Sequence, residues 1–125
     1  MRNAFVERKT GETKVEVKLE LDGSGEYEIG TGVPFLNHLL ELFSKQGLFD
    51  LRVRAQGDLQ VDDHHTVEDV ATTLGLAFRK ALADKKGVVR YGFFEVPMDE
   101  TLGRVAVDLS GRGLSVVKST FSREA

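Results

Sequence analysis

The chain has 125 residues, two prolines and no cysteine, with seventeen Lys plus Arg against twenty Asp plus Glu and a formal net charge of -3. That length gives room for one domain with a sizeable core; the lack of cysteine excludes disulfides, thiolate metal sites and cysteine nucleophiles; and the absence of a basic block argues against nucleic acid as a partner. No apolar run approaches the roughly 18 residues of a membrane span and Met1-Arg2-Asn3 opens no signal-peptide pattern, so a cytoplasmic location without a membrane partner is expected.

From Thr13 to Leu21 the sequence alternates, with Val15, Val17, Leu19 and Leu21 on one side and Lys14, Glu16, Lys18 and Glu20 on the other, the pattern of a half-buried antiparallel strand. Ala4 to Arg8 reads as its partner, returned through Lys9-Thr10-Gly11, and Asp22-Gly23-Ser24-Gly25 is a turn. Glu12 stands at the turn end of the second strand, where a solvated charge is its plainest role. Thr31-Gly32-Val33-Pro34 leads into a helix with Leu36, Leu39, Leu40 and Phe43 at helical spacing, ended near Gly47. Leu48 to Gln56 is a further strand with Leu51, Val53 and Ala55 facing in, and Gly57-Asp58 turns toward a second helix that runs to about Ala83.

That second helix opens with Asp62-Asp63-His64-His65-Thr66-Val67-Glu68-Asp69, which holds two of the three histidines in the chain. Residues three and four apart share a helix face, so His64, His65 and Glu68 can converge on one point outside it. Two imidazoles and a carboxylate are the ligand set of a divalent transition metal. Asp62 or Asp63 is placed to cap the helix. At about 100° per residue, Val67, Val70, Leu74, Phe78 and Ala81 form an apolar stripe, and the His-Glu cluster centres roughly 120–130° away from it. The alternative is an ordinary polar face, but such faces are built from Lys, Glu and Arg, which here begin mostly after Phe78. The third histidine, His38, lies almost opposite the first helix's apolar stripe, beside Asn37, Glu41 and Lys45. It is either a surface residue or a further imidazole for the same chemistry.

The end of the chain repeats its beginning. A shift of 88 residues places Glu100-Thr101 on Glu12-Thr13, Val105 on Val17, Val107 on Leu19, Asp108 on Glu20, Gly111 on Gly23 and Gly113 on Gly25. The expected organisation is a first α/β repeat over 1–88 and the strands of a second over 89–125, with the second copy's helices and His-His-x-x-Glu counterpart lying past Ala125.

Six motifs carry a resemblance to the imidazoleglycerol-phosphate dehydratase family of histidine biosynthesis. They are Glu7-Arg8-Lys9-Thr10-Gly11-Glu12-Thr13, Pro34-Phe35-Leu36-Asn37-His38, Gly57-Asp58 with the His-His-Thr-Val-Glu-Asp string, Arg90-Tyr91-Gly92, Pro97-Met98-Asp99-Glu100 and Asp108-Leu109-Ser110-Gly111-Arg112. Their order and spacing match over essentially the whole chain. The resemblance implies an α/β (α+β, ribosomal protein S5 domain 2-like) fold, a four-stranded sheet with two helices on one face, duplicated in the family and incomplete in its second copy here. It also implies a large octahedral homo-oligomer and two Mn²⁺ ions at subunit interfaces, serving the removal of water from D-erythro-imidazole-glycerol phosphate to give imidazole-acetol phosphate. By matching position, His38, His64, His65 and Glu68 are implied as metal ligands, Glu12 as the acid/base carboxylate, and Glu12, His38, Arg90 and Arg112 as substrate contacts, the two arginines on the phosphate.

The residue types suit that chemistry. Water is lost from an unactivated carbon beside an imidazole, so a metal on a ring nitrogen supplies a place for electrons. A carboxylate moves the proton, and a guanidinium fork fits a phosphate. Departures are Gln46 and Gln60, where many members carry histidine, and Gly113, where proline is usual. Two other classes compete: a non-catalytic metal-binding or oligomerisation module derived from such an enzyme, and a zinc hydrolase. The latter is weakened because no two histidines stand four apart with an adjacent Glu. With the second repeat's ligands beyond Ala125, the 125 residues alone are expected to show little or no dehydratase activity, and the apolar face of Val105, Val107 and Leu109 is expected to drive self-association or to require a partner.

Overall fold

Alternation builds the first hairpin. In the computed structural model, which describes residues 2–120, β1 (Asn3–Lys9) runs antiparallel to β2 (Thr13–Glu20). β2 buries Thr13, Val15, Val17 and Leu19 on one face. β3 (Tyr27–Gly30) follows, then α1 (Pro34–Gly47), β4 (Asp50–Gly57) and α2 (His64–Leu82). β4 pairs antiparallel with β2 and parallel with β3, giving the order β1-β2-β4-β3. A parallel neighbour requires a crossover, and α1 provides it. β3 is the strand that the sequence pattern did not reveal: with four residues, its period of two has too little length to register.

The sheet's inward residues, Val15, Val17, Leu19, Leu51 and Val53, meet Leu40 of α1 and Val70, Ala77 and Ala81 of α2 in one cluster, so both helices cover the same face. This is the four-stranded sheet with two helices on one face expected above. Burying such side chains at about 25 cal/mol per Å² of apolar area is the main force closing the layer.

Both helices are turned from the orientation the apolar residues suggest. On α2 the buried residues are Thr66, Val70, Thr73, Ala77 and Ala81, whereas Val67 is exposed. The buried stripe is thus rotated by about 60° from the expected one, at about 100° per residue. Small residues let the helix approach the sheet closely, and the Thr73 hydroxyl is satisfied by donating to the Asp69 carbonyl at 2.7 Å. On α1, Leu40 and Ser44 are buried while Leu39 and Phe43 are substantially exposed. Ser44 belongs inside because its hydroxyl donates to the Phe49 carbonyl at 2.6 Å.

α1 ends at the expected place for a different reason. Leu48, not glycine, takes the left-handed conformation (φ 59°) that stops the helix. Gly47 instead makes room for the Phe49 ring, whose Cε2 would lie 2.6 Å from an added Cβ. The turn before β3 is wound on Asp50, whose Oδ1 accepts the backbone N–H groups of Ser24, Gly25 and Glu26 at 2.9, 3.1 and 3.0 Å.

The chain divides into two compact units, Met1–Lys86 and Gly87–Ala125. The second contains β5 (Tyr91–Met98) and β6 (Thr101–Asp108), an antiparallel pair. Tyr91 pairs with Asp108 as Asn3 pairs with Glu20, and the pairs follow the same 88-residue shift as far as Pro97–Leu102 on Lys9–Lys14; the second hairpin adds Met98–Thr101. Val105 and Val107 are exposed and Leu109 is half-buried. No helix among the described residues is long and apolar enough to cross a membrane.

Two substitutions test this packing. Leu19→Ala, at a fully buried position, is expected to lower unfolding stability by about 2–5 kcal/mol in urea titrations. Gly57→Ala, whose new Cβ would run into the Thr66 hydroxyl, is expected to cost about 1–3 kcal/mol. A midpoint unchanged in either variant would show that the β2 core or the β4–α2 approach is looser than described.

Candidate active site

The site residues of the first unit come from four places: the β1–β2 turn, the end of β4, the start of α2 and, apart from these, α1 with His38. Asp69 ties the first to the third. Its carboxylate, 13% exposed, accepts the Thr13 hydroxyl, the Arg8 Nη1 at 2.8 Å and the Thr10 hydroxyl at 3.3 Å. Thr10 Oγ1 in turn accepts the backbone N–H groups of Glu12 at 3.2 Å and Thr13 at 3.1 Å. The turn carrying Glu12 is therefore fixed by side-chain bonds that compete with plain hairpin geometry. The Thr13 hydroxyl, followed by Arg8, holds the Asp69 carboxyl below its ordinary value despite partial burial.

The start of α2 is set by Asp62, whose Oδ1 accepts the His64 backbone N–H at 2.9 Å. Asp63, the N-cap residue, makes no side-chain cap bond. One of the two aspartates expected to serve the helix start therefore does so, and from one position further out.

His64 and Glu68 share one face, with Nε2 and Oε2 3.0 Å apart. His65 does not join them at a single point, as the spacing had suggested. One residue on, its ring is swung to the side, and Nδ1 lies 2.7 Å from Oδ2 of Asp58, a carboxylate that is 15% exposed. The bond to Asp58 raises the His65 pKa, with further help from the charges of Asp58, Glu12 and Asp62. Glu12 is thus within electrostatic range of His65. An open depression of about 480 Å³ beside them is lined by Gly11, Glu12, Gln56, Gly57, Asp58 and Gln60.

His38 stands exposed on α1, its ring 6.4 Å from that of Phe35. Its neighbour Asn37, grouped above with surface residues, is half-buried and accepts the Thr31 backbone N–H at 3.0 Å and its hydroxyl as well. Arg90 and Arg112 belong to the second unit. Arg90 donates from Nε and Nη2 to the Asp108 carboxylate at 2.7 and 3.3 Å and lies 5.0 Å over the Tyr91 ring. The backbone N–H of Arg112 donates to the Ser110 hydroxyl at 3.0 Å. Among the described residues no group of three or more His, Asp, Glu or Cys side chains is close enough to hold a metal ion. Within one chain the four residues implied as ligands are therefore spread over His64 with Glu68, His65 with Asp58, and His38.

The family model for imidazoleglycerol-phosphate dehydratase matches residues 31–125. The chain belongs to the imidazoleglycerol-phosphate dehydratase family. It is 51% identical over 123 residues to the dehydratase of Hydrogenovibrio crunogenus, with 98% of this chain and 63% of that protein covered. It is 60% identical over 111 residues to that of Trichlorobacter lovleyi, covering 89% of this chain and 57% of the relative. The chain thus spans about three-fifths of the length of these curated relatives. The crystal structure of the Staphylococcus aureus imidazoleglycerol-phosphate dehydratase is 37% identical, with a TM-score of 0.83 over 98% of this chain and 67% of that one.

The Asp69 anchor was not foreseen, although Arg8, Thr10, Thr13 and Asp69 all lie inside motifs quoted for the resemblance. Its depressed pKa fixes the sign of an acid effect. With the folded value below the unfolded one, the stabilisation is complete above the unfolded value and is lost as pH falls through the folded one. Asp69→Asn is expected to cost about 1–3 kcal/mol near pH 6. The gap from wild type should close as the pH is lowered below about 4 in urea titrations; a constant gap would assign the loss to packing alone.

Proposed function

We propose that the chain works as a metal-dependent lyase, dehydrating D-erythro-imidazole-glycerol phosphate to imidazole-acetol phosphate in cytoplasmic histidine biosynthesis. The observation that carries this reading is Glu12, fixed on its turn within electrostatic range of the His65–Asp58 pair, with the His64–Glu68 pair on the same helix turn, in a chain that shares over half its residues with a dehydratase along nearly its whole length.

The donor set fits a divalent ion such as Mn²⁺. Imidazole nitrogen and carboxylate oxygen are present without thiolate, and the His64–Glu68 pair already stands at a separation that one ion can bridge. His64 and Glu68 would hold one ion, and His65 and His38 would contribute to the same or a second ion. Because one chain gathers no complete shell among its described residues, ligands from neighbouring copies would complete it, which couples metal binding to assembly. When bound, the ion supplies Lewis-acid stabilisation of charge on the substrate's ring.

The chain's own residues do the rest. The Glu12 carboxylate, held by the Thr10 turn, moves a proton at the reacting carbon. Asp108 occupies the Nε–Nη2 edge of Arg90 and orients the guanidinium. The Nη1–Nη2 edge is then directed to the phosphate, with Arg112 as a second donor.

Turnover of imidazole-glycerol phosphate with added Mn²⁺ tests the reading. It is measured for this chain and for the same chain extended by the C-terminal remainder of the Trichlorobacter lovleyi relative. In whichever turns over faster, Glu12→Gln is expected to lower kcat by roughly 10²–10⁴ with metal content unchanged. Loss of metal would make Glu12 a ligand, and near-normal turnover would remove it from the mechanism. Mn²⁺ binding without turnover by either chain would favour the non-catalytic module. Size-exclusion with and without chelator checks the coupling: the assembly is expected to shrink when the ion is removed.

A further inference from the structure

The contact between Asp58 and His65 has a geometry that a simple surface ion pair lacks. β4 ends at Gly57, which approaches α2 so closely that a Cβ there would collide with the Thr66 hydroxyl. This approach delivers Asp58 to the first turn of the helix. Its carboxylate is 15% exposed while the His65 side chain is 40% exposed, so the acid is the fixed partner and the imidazole the outer one. The bond runs from Nδ1 to Oδ2 at 2.7 Å, the length of a strong, charge-assisted hydrogen bond. The other oxygen, Oδ1, is buried and finds no hydrogen-bond partner among the described residues. Burying a carboxylate with one oxygen unpartnered costs stability. The fold alone would be served better by a smaller or neutral residue, and the one thing this carboxylate does well is hold the ring.

We infer that Asp58 is a positioning residue: by accepting the Nδ1–H of His65 it fixes that imidazole in the tautomer whose free electron pair is on Nε2, and sets the ring's rotation so that Nε2 meets a divalent cation. A ligating histidine whose other nitrogen is held by a carboxylate is both oriented and made more basic. The ion's identity rests on the proposed function, whereas the tautomer depends only on this contact. In this role Asp58 acts through His65 rather than on the ion or substrate itself.

Three histidines in the whole chain make the test tractable. With ¹⁵N-labelled histidine in the metal-free chain, at alkaline pH where the imidazoles are neutral, His65 is assigned by its loss in His65→Gln. Its nitrogen shifts are expected to report the Nδ1–H form, which needs no Asp58 variant and no activity. In Asp58→Asn, whose amide can donate to Nδ1 as well as accept from it, the population should move toward Nε2–H. Mn²⁺ affinity, read by the electron-spin-resonance signal of free Mn²⁺ below each variant's melting temperature, should fall about 10–100-fold. A purely structural contact would lower the melting temperature and leave the folded protein's affinity unchanged, and that result would overturn the inference. So would a wild-type His65 in the Nε2–H form, or a wild-type chain that binds no Mn²⁺. If the tautomer and the affinity loss are found but no dehydratase turnover is, the positioning role stands and the proposed reaction falls.

Discussion

The candidate site depends on one part-buried acceptor, the carboxylate of Asp69. It lies on α2 and receives hydrogen bonds from Arg8, Thr10 and Thr13, all on the β1–β2 hairpin. A helix packed on a sheet by apolar contacts alone can slide or rotate at small cost, because the hydrophobic effect has no direction. Three directed bonds to a charged group remove that freedom. The turn bearing Glu12 and the helix start bearing His64, His65 and Glu68 are thereby held in one register. Breaking the anchor would leave a carboxylate poorly solvated, which is why its effect exceeds that of an exposed pair such as Arg2–Asp22.

The second junction works by steric approach. Gly57 has no Cβ, and the Thr66 hydroxyl occupies the space a Cβ would take. The end of β4 therefore reaches the first turn of α2, and Asp58 meets His65 there. The two junctions grip the same side of the helix start, since His65 and Asp69 stand four residues apart. With Thr66, Val70 and Thr73 buried beneath, the face carrying His64 and Glu68 is turned almost directly away from the core, further than the apolar stripe alone implied. Side chains so directed can meet ligands from outside their own unit.

How much of this was legible in the sequence follows from which signals are local. The β1–β2 hairpin, β4 and both helices rest on alternation and on 3.6-residue spacing, and their limits were readable to within a few residues. The orientation of α2 was not, because hydrophobicity scales count Thr66 and Thr73 as polar, although both are fully buried; a close helix–sheet approach selects size over polarity. The end of α1 was placed correctly while its cause was misjudged, since nothing in the sequence says that Gly47 yields space to Phe49 and leaves the left-handed turn to Leu48. At the site, the His-His-x-x-Glu spacing identified the helix and its outward face. The partition of its side chains depended on Asp58, whose approach is a tertiary fact that only the Gly-Asp dipeptide hinted at.

The 88-residue repeat separates what a hairpin does by itself from what an anchor makes it do. Thr10-Gly11-Glu12-Thr13 and Met98-Asp99-Glu100-Thr101 stand at matching positions of two hairpins with the same register. In the second, Asp99 takes a positive φ of 51°, as the first central residue of a tight two-residue hairpin turn commonly does. In the first, Gly11 could adopt that conformation more easily than Asp99, yet it is not among the positive-φ residues. The difference lies one residue earlier. Thr10 supplies a hydroxyl that accepts the Glu12 and Thr13 N–H groups and reaches Asp69, whereas Met98 at the matching place has none to offer. The intrinsic preference of the turn is therefore overridden where Glu12 must be held and retained at the matching Glu100, where Met98 stands in place of Thr10. A glycine in the anchored turn makes sense on this account: it adds no conformational demand of its own, so the hydroxyl and the carboxylate decide the backbone.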